Sequence, residues 1–200
     1  MHTISEPPIT LAMTGASGAR YGLRLLERLL NAGRGVDLLL SLAGRTVMAR
    51  ECGLELVGEG QEVVRQLDDF FARSSPTPPN LSRLTHYAQH DWNAPMASGS
   101  RGKRAMVVCP CSMGSLAAMA HGLSDNLIER GADVAIKEGW PLILVPRETP
   151  LSIIHLENMM RLAKSGAVIL PAAPGFYQGA TTLEHLVDFL VDRIMTRLDV

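Results

Sequence analysis

The sequence predicts a three-layer, doubly wound α/β fold built on a mostly parallel sheet. Short, nearly continuous apolar runs alternate along the 200 residues with segments whose apolar side chains recur at helical spacing. Such runs are typical of strands buried on both faces. Composition agrees, because 46% of the residues are hydrophobic and 20% are charged. The length is that of one domain, so we expect a single domain over residues 1–200.

Six apolar runs are the expected strands, beginning with ITLAMT and VDLLLS. They are predicted at 9–14, 36–41, 84–88, 105–110, 141–146 and 167–171. Helices are predicted between them at 18–32, 43–51, 60–73, 113–120, 125–138 and 150–164, with a proline-rich loop at 74–80. The last helix is predicted to begin at a capping box of Thr181 and Glu184, because its apolar stripe then continues to Leu198 with a 3.6-residue period.

Charge and cysteine usage narrow the class of protein. Lysine and arginine total 19 against 20 acidic residues, so the chain lacks the basic surface that binds DNA or RNA. Cys52, Cys109 and Cys111 form neither a CxxC motif nor a zinc-binding pattern, which is typical of a reducing compartment. No signal peptide is recognisable, and no apolar stretch approaches the ~20 residues of a membrane span. We expect a cytoplasmic protein that binds neither nucleic acid nor membrane.

Small, hydroxylated or charged residues follow nearly every predicted strand, where sheets of this type bind ligands. They are residues 14–18, Ser41, Asp91, Trp92, residues 111–115, residues 147–149 and residues 175–177. The G-A-S-G turn at 15–18 leads into a helix, so its backbone N–H groups could hold an anion, although a plain tight turn explains it equally well. Ser112 and Thr149, the latter followed by Pro150, are predicted helix N-caps.

The motifs do not favour metal or serine-hydrolase chemistry. The six histidines are scattered, no aspartate-rich diphosphate–magnesium motif is present, and there is no GxSxG elbow. A bound phosphate would depend on arginine, lysine, hydroxyl and backbone groups. Simpler roles stay open for the charged residues: Arg147 and Glu148 as a surface ion pair, and Lys137 on a solvated helix face. Arg193 could snorkel outward and Tyr177 could merely pack. The residues alone indicate an α/β protein that binds a phosphorylated, flat ligand.

Five longer segments resemble the flavin prenyltransferase family of the UbiX type. They are LAMTGASGARYGLRLLE, DWNAPMASGS, CPCSMGSLAAMAHGLSDNLIERGADVAIKE, PLILVPRETPLSIIHLENMMRLA and GAVILPAAPGFYQ. Together they cover nearly the whole chain. The segments around VPRETPLS and LPAAPGFY are long enough to be specific, whereas GASG alone is not.

The resemblance implies a fold, an activity and an assembly. The fold is flavodoxin-like (Rossmann-like), and FMN is bound at the subunit interfaces of a homo-oligomer, a dodecamer. The activity joins a dimethylallyl group from dimethylallyl monophosphate to N5 and then C6 of reduced FMN, a co-substrate, without a metal. The prenylated FMN serves a partner decarboxylase, commonly in ubiquinone biosynthesis.

Site residues are carried over by position from the same resemblance. Those implied to bind the flavin are Gly15, Ala16, Ser17, Ser41, Trp92, Ser112, Met113, Gly114, Ser115 and Arg147. Those implied to hold the prenyl phosphate are Lys137, Arg147, Tyr177 and Arg193. Those implied to be catalytic are Ser17, Glu51 and Glu148. The assignment is chemically sensible, because cations and a phenol hydroxyl stabilise a departing phosphate, and a carboxylate can relay the proton removed at ring closure.

The chain also departs from the family in places. Leu42 stands where many members have lysine, and Gly139 and Trp140 replace two arginines. Ser115 stands where threonine is usual, a mild change that keeps the hydroxyl group. These changes bear on rate and assembly more than on identity.

Three other flavoprotein classes are alternatives. A flavin-dependent cysteine decarboxylase is disfavoured, because its late P-x-M-N segment reads P-G-F-Y here. A non-catalytic FMN-binding protein would not need a cluster of cations for a second phosphate. A flavodoxin-type electron carrier is usually strongly acidic, whereas this chain has a net charge of −1.

Overall fold

A computed structural model describes residues 6–177 and 179–200. The strands are β1 (Ile9–Met13), β2 (Val36–Leu40), β3 (Leu84–Tyr87), β4 (Met106–Cys111), β5 (Leu142–Pro146) and β6 (Val168–Ile169). The helices are α1 (Ala19–Asn31), α2 (Leu42–Cys52), α3 (Gln61–Ser74), α4 (Met113–Ala120), α5 (Leu127–Glu138), α6 (Ile153–Lys164) and α7 (Leu183–Arg197). Short 3-10 turns at Leu81–Arg83, Pro95–Ala97 and Gly99–Arg101 add to the predicted elements.

The strands form one parallel sheet in the order β3-β2-β1-β4-β5-β6. Ile9 of β1 lies opposite Val36 of β2 on one side, and Thr10 lies opposite Met106 of β4 on the other. The chain therefore winds outward from β1 to β3, then crosses back and winds outward from β4 to β6. The point where the order reverses, between β1 and β4, is where such sheets bind ligands at their carboxyl edge. The predicted doubly wound, Rossmann-like sheet is confirmed.

Helices cover both faces of the sheet, which explains the continuous apolar runs of the strands. One core contains alternate strand residues such as Leu11, Leu38 and Val107, packed with residues of α1, α2, α3 and α7. The other contains Ala12 and Leu39 from the opposite face, packed with residues of α4, α5 and α6. Successive strand side chains point to opposite faces, so each central strand contributes to both cores.

The predicted N-cap of α6 at Thr149 is wrong. The helix begins at Ile153, and the Ser152 hydroxyl accepts the His155 N–H at 3.2 Å. The Thr149 N–H instead donates to the Glu148 carboxylate at 3.0 Å, inside the turn that precedes the helix. The three residues between Thr149 and the helix therefore stay in the loop and extend the carboxyl edge of the sheet.

The start of α7 is one residue later than predicted. Thr182 is the N-cap, and its hydroxyl accepts the His185 N–H at 3.2 Å. The predicted pair of Thr181 and Glu184 has the right spacing but lies one position too early. A run of two threonines offers two candidate caps, and only the tertiary position of the helix chooses between them.

Candidate functional site

The loops after β1, β2 and β4 meet at the carboxyl edge of the sheet, beside the switch point. The Ser41 N–H donates to the Met13 carbonyl at 3.0 Å, and the Thr14 N–H donates to the Pro110 carbonyl at 3.1 Å. Each loop leads directly into the N-terminus of a helix, α1, α2 or α4. The sequence-predicted residues of all three loops therefore lie at one edge of the sheet.

The N-terminus of α1 is closed by Glu51, which comes from the last turn of α2. The Glu51 carboxylate accepts the Gly18 N–H at 3.0 Å and the Ala19 N–H at 2.9 Å. Arg147, at the end of β5, donates its Nε–H to the Ser17 carbonyl at 3.2 Å. The structure thus brings together three predicted residues, Ser17, Glu51 and Arg147. A carboxylate here also balances the positive end of the helix dipole.

These contacts set the charge state of Glu51. Burial would raise the pKa of its carboxyl group. Hydrogen bonds from the Ser17 side chain and from the Gly18 and Ala19 backbone, together with the charge of Arg147, outweigh burial and lower that pKa below its ordinary value. Glu51 is therefore an ionised carboxylate at neutral pH, able to accept a hydrogen bond or a proton.

The N-terminus of α4 is capped but faces open space. The Ser112 hydroxyl accepts the Ser115 N–H at 3.3 Å and donates to the Ser115 hydroxyl at 3.1 Å. Among the described residues, the N–H groups of Met113 and Gly114 have no acceptor. Gly114 is exposed, and a Cβ atom placed on it would meet nothing within 4 Å. This helix end offers hydroxyls, free donors and a positive dipole to a ligand.

Two other glycines of the site are required by packing. A Cβ atom on Gly15 would come within 2.5 Å of the Ala43 Cβ, and one on Gly44 would come within 2.6 Å of the Met13 carbonyl oxygen. The first turn of α2 therefore packs directly against the first loop and against the end of β1. Ser41 caps α2 at the same place, its hydroxyl accepting the Gly44 N–H at 2.9 Å.

The donor set fits FMN, the group that the resemblance implies. In the part of the chain that the structure describes, the N–H groups of residues 15–17 have no acceptor, like those at the start of α4. Successive free N–H groups and helix N-termini bind phosphate. Hydroxyls on Ser17 and Ser115 and the Arg147 guanidinium add donors, and the missing side chain of Gly114 leaves room beside them.

Glu148 lies at the rim of this site rather than inside it. Its carboxylate is exposed and accepts the Thr149 N–H of its own turn. No hydrogen bond joins it to Ser17 or Glu51 among the residues described. Of the predicted catalytic set, the structure groups Ser17 with Glu51 and leaves Glu148 apart.

Tyr177 and Arg193 form a second, separate group on the flank of α7. The Arg193 guanidinium donates to the Tyr177 hydroxyl at 3.0 Å and lies 5.5 Å from the centre of the Phe189 ring. The Tyr177 ring packs edge-on against Phe189, with ring centres 5.6 Å apart. Tyr177 is nevertheless 72% exposed, so a ligand can still reach its hydroxyl group.

Two ion pairs set the position of this group relative to Arg147. Arg24 bonds Asp188 at 2.6 Å and Arg28 bonds Asp192 at 2.9 Å, so α1 and α7 run side by side in the same direction. The α7 backbone at residue 193 is therefore level with the last turns of α1. At about 1.5 Å per residue, that level is about 15 Å from the N-terminus of α1, where Arg147 makes its contact.

Lys137 lies at the opposite edge of the sheet. It is exposed in the last turn of α5, next to the start of β5, and its ammonium group pairs with the Glu138 carboxylate. Arg147 lies at the other end of the same strand. Within one chain, therefore, the predicted phosphate-binding residues occupy three places.

Trp92 is exposed in the loop after β3, two strands from β1. At about 4.8 Å per strand, β3 and β1 are about 10 Å apart. This loop is tied to the start of α5, where the Leu127 N–H donates to the Gln89 carbonyl at 2.7 Å. The described residues provide no contact between Trp92 and the first loop, so its flavin-binding role stays a prediction.

Thr14 belongs to the first predicted loop, residues 14–18, but not to the site residues carried over by resemblance. Its buried hydroxyl donates to the Pro110 carbonyl at 3.0 Å and accepts the Ser112 N–H at 2.7 Å, joining the loops after β1 and β4. A threonine directly after a buried strand and before the G-A-S-G turn was a signal that could have identified it. The residues carried over by resemblance are those implied to lie near the ligand, and Thr14 is not among them.

Across 6–177 and 179–200, no three or more His, Cys, Asp or Glu side chains form a group suited to a metal ion. Over the same ranges, no helix combines the length and apolar character needed to cross a membrane.

Comparison with known sequences finds one family over nearly the whole chain. The model of the family described as Flavoprotein matches residues 1–195. The flavin prenyltransferase UbiX of Pseudomonas aeruginosa is 52% identical over 192 residues, which cover 96% of this chain and 89% of that protein.

Comparison with solved structures agrees. The structure of AnUbiX in complex with FMN and dimethylallyl pyrophosphate has a TM-score of 0.82 and 37% identity, over 98% of this chain and 93% of that chain. The dodecameric FMN-dependent UbiX-like decarboxylase of Escherichia coli O157:H7 has a TM-score of 0.82 and 33% identity. The match covers 97% of this chain and 96% of that chain.

Proposed function

Since the chain belongs to the UbiX flavin prenyltransferases of the Flavoprotein family, we propose that it transfers a dimethylallyl group from dimethylallyl monophosphate to N5 and C6 of reduced FMN. The observation that carries the proposal is the convergence of three helix N-termini at the switch point. There the unpartnered N–H groups, the serine hydroxyls and Arg147 fit a flavin phosphate and ring, and Glu51 is ionised beside them.

Reduced FMN, when bound, supplies the nucleophilic atoms to which the dimethylallyl group becomes bonded. The chain contributes donors that position it: the backbone of residues 15–17, the hydroxyls of Ser41 and Ser115, and the open N-terminus of α4 with Ser112. Positioning is expected to account for much of the rate, because two reactants held in alignment react as one molecule.

Positive groups assist departure of the phosphate. Breaking the allylic C–O bond leaves both bonding electrons, and hence a negative charge, on the phosphate oxygen. Lys137, Arg147 and Arg193, with the Tyr177 hydroxyl, supply the cations and the donor that stabilise this charge. The Arg193–Tyr177 hydrogen bond supports this role, because it keeps the guanidinium and the phenol hydroxyl next to each other.

Carboxylates relay the protons of the reaction. Closing the second bond at C6 would consume the allyl double bond, so one carbon of that double bond would gain a proton while C6 loses one. The departed phosphate, with Glu51 or Glu148 as relay, would supply the first proton and take up the second. The lowered pKa of Glu51 keeps it ionised, and its bonds to the start of α1 fix its position. Glu148, exposed at the rim, is placed to exchange a proton with solvent.

We propose that complete active sites form only between copies of the chain. Within one copy, Lys137 lies at the other end of β5 from Arg147, and the α7 backbone at Arg193 is about 15 Å along the helix axis from the N-terminus of α1, which Arg147 contacts. The outer face of α6 supports assembly, because Ile153 and Ile154 are 68% and 63% exposed, an apolar surface that a second copy would cover.

By analogy with the dodecameric relative, the assembly is a dodecamer. The product would pass to a prenylated-FMN-dependent decarboxylase in the cytoplasm, in a ubiquinone-type pathway.

The test is anaerobic incubation with reduced FMN and dimethylallyl monophosphate, without added metal, followed by mass analysis of the extracted flavin. The expected product is a flavin heavier by one five-carbon unit. A parallel reaction with dimethylallyl pyrophosphate tests the choice of donor. Unmodified flavin from both reactions, with FMN bound, would contradict the transferase proposal and favour a flavin-binding protein without this activity.

A further inference from the structure

We propose that Thr14 is a positioning residue that fixes the start of α4, and with it the Ser112–Ser115 hydroxyl pair, in the register needed to bind FMN. The inference rests on the proposed function, because the ligand is the flavin proposed there. It concerns a buried residue outside the carried-over set, whose hydroxyl bonds the Ser112 backbone and neither of the predicted catalytic carboxylates Glu51 and Glu148.

The ladder between β1 and β4 ends before the first and third loops begin. The two strands are paired in register only as far as Ala12 opposite Val108. Beyond that point β4 is irregular, with a register shift between Val108 and Cys111 toward β5. Pro110 lies inside this irregular stretch and has no N–H group to offer a neighbour.

Thr14 replaces the missing ladder bonds. Its N–H and its hydroxyl both donate to the Pro110 carbonyl, at 3.1 and 3.0 Å, and the hydroxyl oxygen accepts the Ser112 N–H at 2.7 Å. The side chain is 2% exposed, so water cannot take over these bonds. Among the described residues, this is the one side-chain link between the first and the third loop.

The link acts on the α4 N-terminus through one residue. Ser112 is both the partner of Thr14 and the N-cap of α4, and its hydroxyl orients that of Ser115. A shift of the Ser112 backbone would move the cap, the Ser115 hydroxyl and the free N–H groups of the first turn together. Displacement by about 1 Å can reduce binding or turnover by a hundredfold where groups must align.

The experiment compares three variants with the wild-type protein. Thr14→Val keeps the shape of the side chain and removes the hydroxyl, and Thr14→Ser keeps the hydroxyl. Thr10→Val is the matched control, because Thr10 is equally buried at the other end of the same strand. FMN dissociation constants come from quenching of flavin fluorescence, and amide hydrogen exchange is measured at residues 112–116 without FMN.

We expect Thr14→Val to bind FMN about tenfold or more weakly, because a shifted α4 N-terminus no longer aligns its donors with the ligand. The Ser112 amide should exchange faster in that variant. Thr14→Ser should restore both properties, and Thr10→Val should change neither. If Thr14→Val does not fold, Thr14→Ala and Thr14→Ser carry the same comparison, since they too differ by the hydroxyl.

Three results would overturn the inference: wild-type FMN affinity in Thr14→Val, equal losses in Thr14→Ser, or equal losses in Thr10→Val. Failure of the proposed function is distinguishable from failure of this inference. In the first case the wild-type protein itself would form no prenylated flavin, whether or not it binds FMN. In that case unchanged exchange at Ser112 in Thr14→Val would still overturn the role of Thr14.

Discussion

The N-termini of α1 and α4 lie at the same switch point, yet one is closed and the other open. At α1, the first free amides bond the Glu51 carboxylate, and Arg147 lies beside them. At α4, the amides of Met113 and Gly114 have no acceptor among the described residues. The Glu51 carboxylate already balances the positive end of the α1 dipole, whereas the positive end of the α4 dipole can still bind an anionic ligand.

The difference separates two tasks that the sequence motifs do not distinguish. The α1 end holds an ionised acid in a fixed position, as proton transfer requires. The α4 end holds donors for a ligand, as binding requires. Changes at α1 should therefore affect turnover most, and changes at α4 should affect affinity most.

The largest expected effect is at the closed end, on replacing Arg147. Arg147→Ala should lower the rate of flavin prenylation about a hundredfold or more, the loss typical of one charge-stabilising donor. It should also raise the pKa of Glu51, which the Arg147 charge lowers, and move the acid limb of the rate profile to higher pH. Mass analysis of product formed with time, at several pH values, measures both.

The control for this variant is Arg73→Ala, an exposed arginine in the last turn of α3. Its rate should equal that of the wild-type protein. A rate for Arg147→Ala within about threefold of wild type would exclude Arg147 from the stabilisation of charge.

A pair of glycine variants separates packing from binding. Gly15→Ala should cost about 1–3 kcal/mol of stability, because its methyl group would meet Ala43. Gly114→Ala should gain up to about 1 kcal/mol in the FMN-free protein, because alanine favours the helix and the site is open. The same methyl group should weaken FMN binding. Urea unfolding measures the stability of each variant, and flavin titration measures its affinity for FMN. If both variants lost stability, or both gained it, the comparison would be contradicted.

Removing a helix cap tests whether the open end is specific. Ser112→Ala and Thr182→Ala each remove an N-cap and should each cost about 1 kcal/mol of stability. Only Ser112→Ala should weaken FMN binding, because Thr182 caps α7 outside the site. Matched losses of affinity in the two variants would show that binding follows general stability.

The smallest effect is a pH dependence at the closed end. Folding lowers the pKa of Glu51 below 4.5, so the ionised side chain stabilises the fold above that pH. This contribution is lost as the pH falls through the lower, folded-state pKa. The stability advantage of the wild-type protein over Glu51→Gln at pH 7 should therefore shrink below pH 4.5. A difference in unfolding free energy that stays constant with pH would contradict the prediction.

The sheet was predictable because burial on both faces leaves a direct record in the sequence. Runs such as VDLLL have no polar face, so their type and order could be identified. The starts of α6 and α7 were not, since neighbouring hydroxyls at Thr149, Ser152, Thr181 and Thr182 look alike until the helix has a position. Local sequence pattern predicts which helices and strands form, whereas tertiary contacts determine the residue at which each one begins or ends.

The site was predictable in its membership and less so in its arrangement. Ser17, Ser41, Ser112 and Arg147 follow strands, and strand ends converge in any parallel sheet. The Glu51 contact with α1 depends on how α2 crosses α1, which no local pattern encodes. The bonds of Thr14 to the third loop were not predictable for a similar reason, because its partners are almost a hundred residues away along the chain.

The parallel alignment of α1 and α7 has a consequence for mixtures of chains. It holds the α7 backbone at Arg193 about 15 Å along the helix axis from the N-terminus of α1, which Arg147 of the same copy contacts. Under the proposed assembly, Arg147 and Arg193 of different copies therefore share a site. Inactive Arg147→Ala chains and inactive Arg193→Ala chains, assembled together, should then complement each other and regain part of the lost activity. Activity would then depend on assembly. On dilution, the activity per chain would fall under conditions in which each chain stays folded.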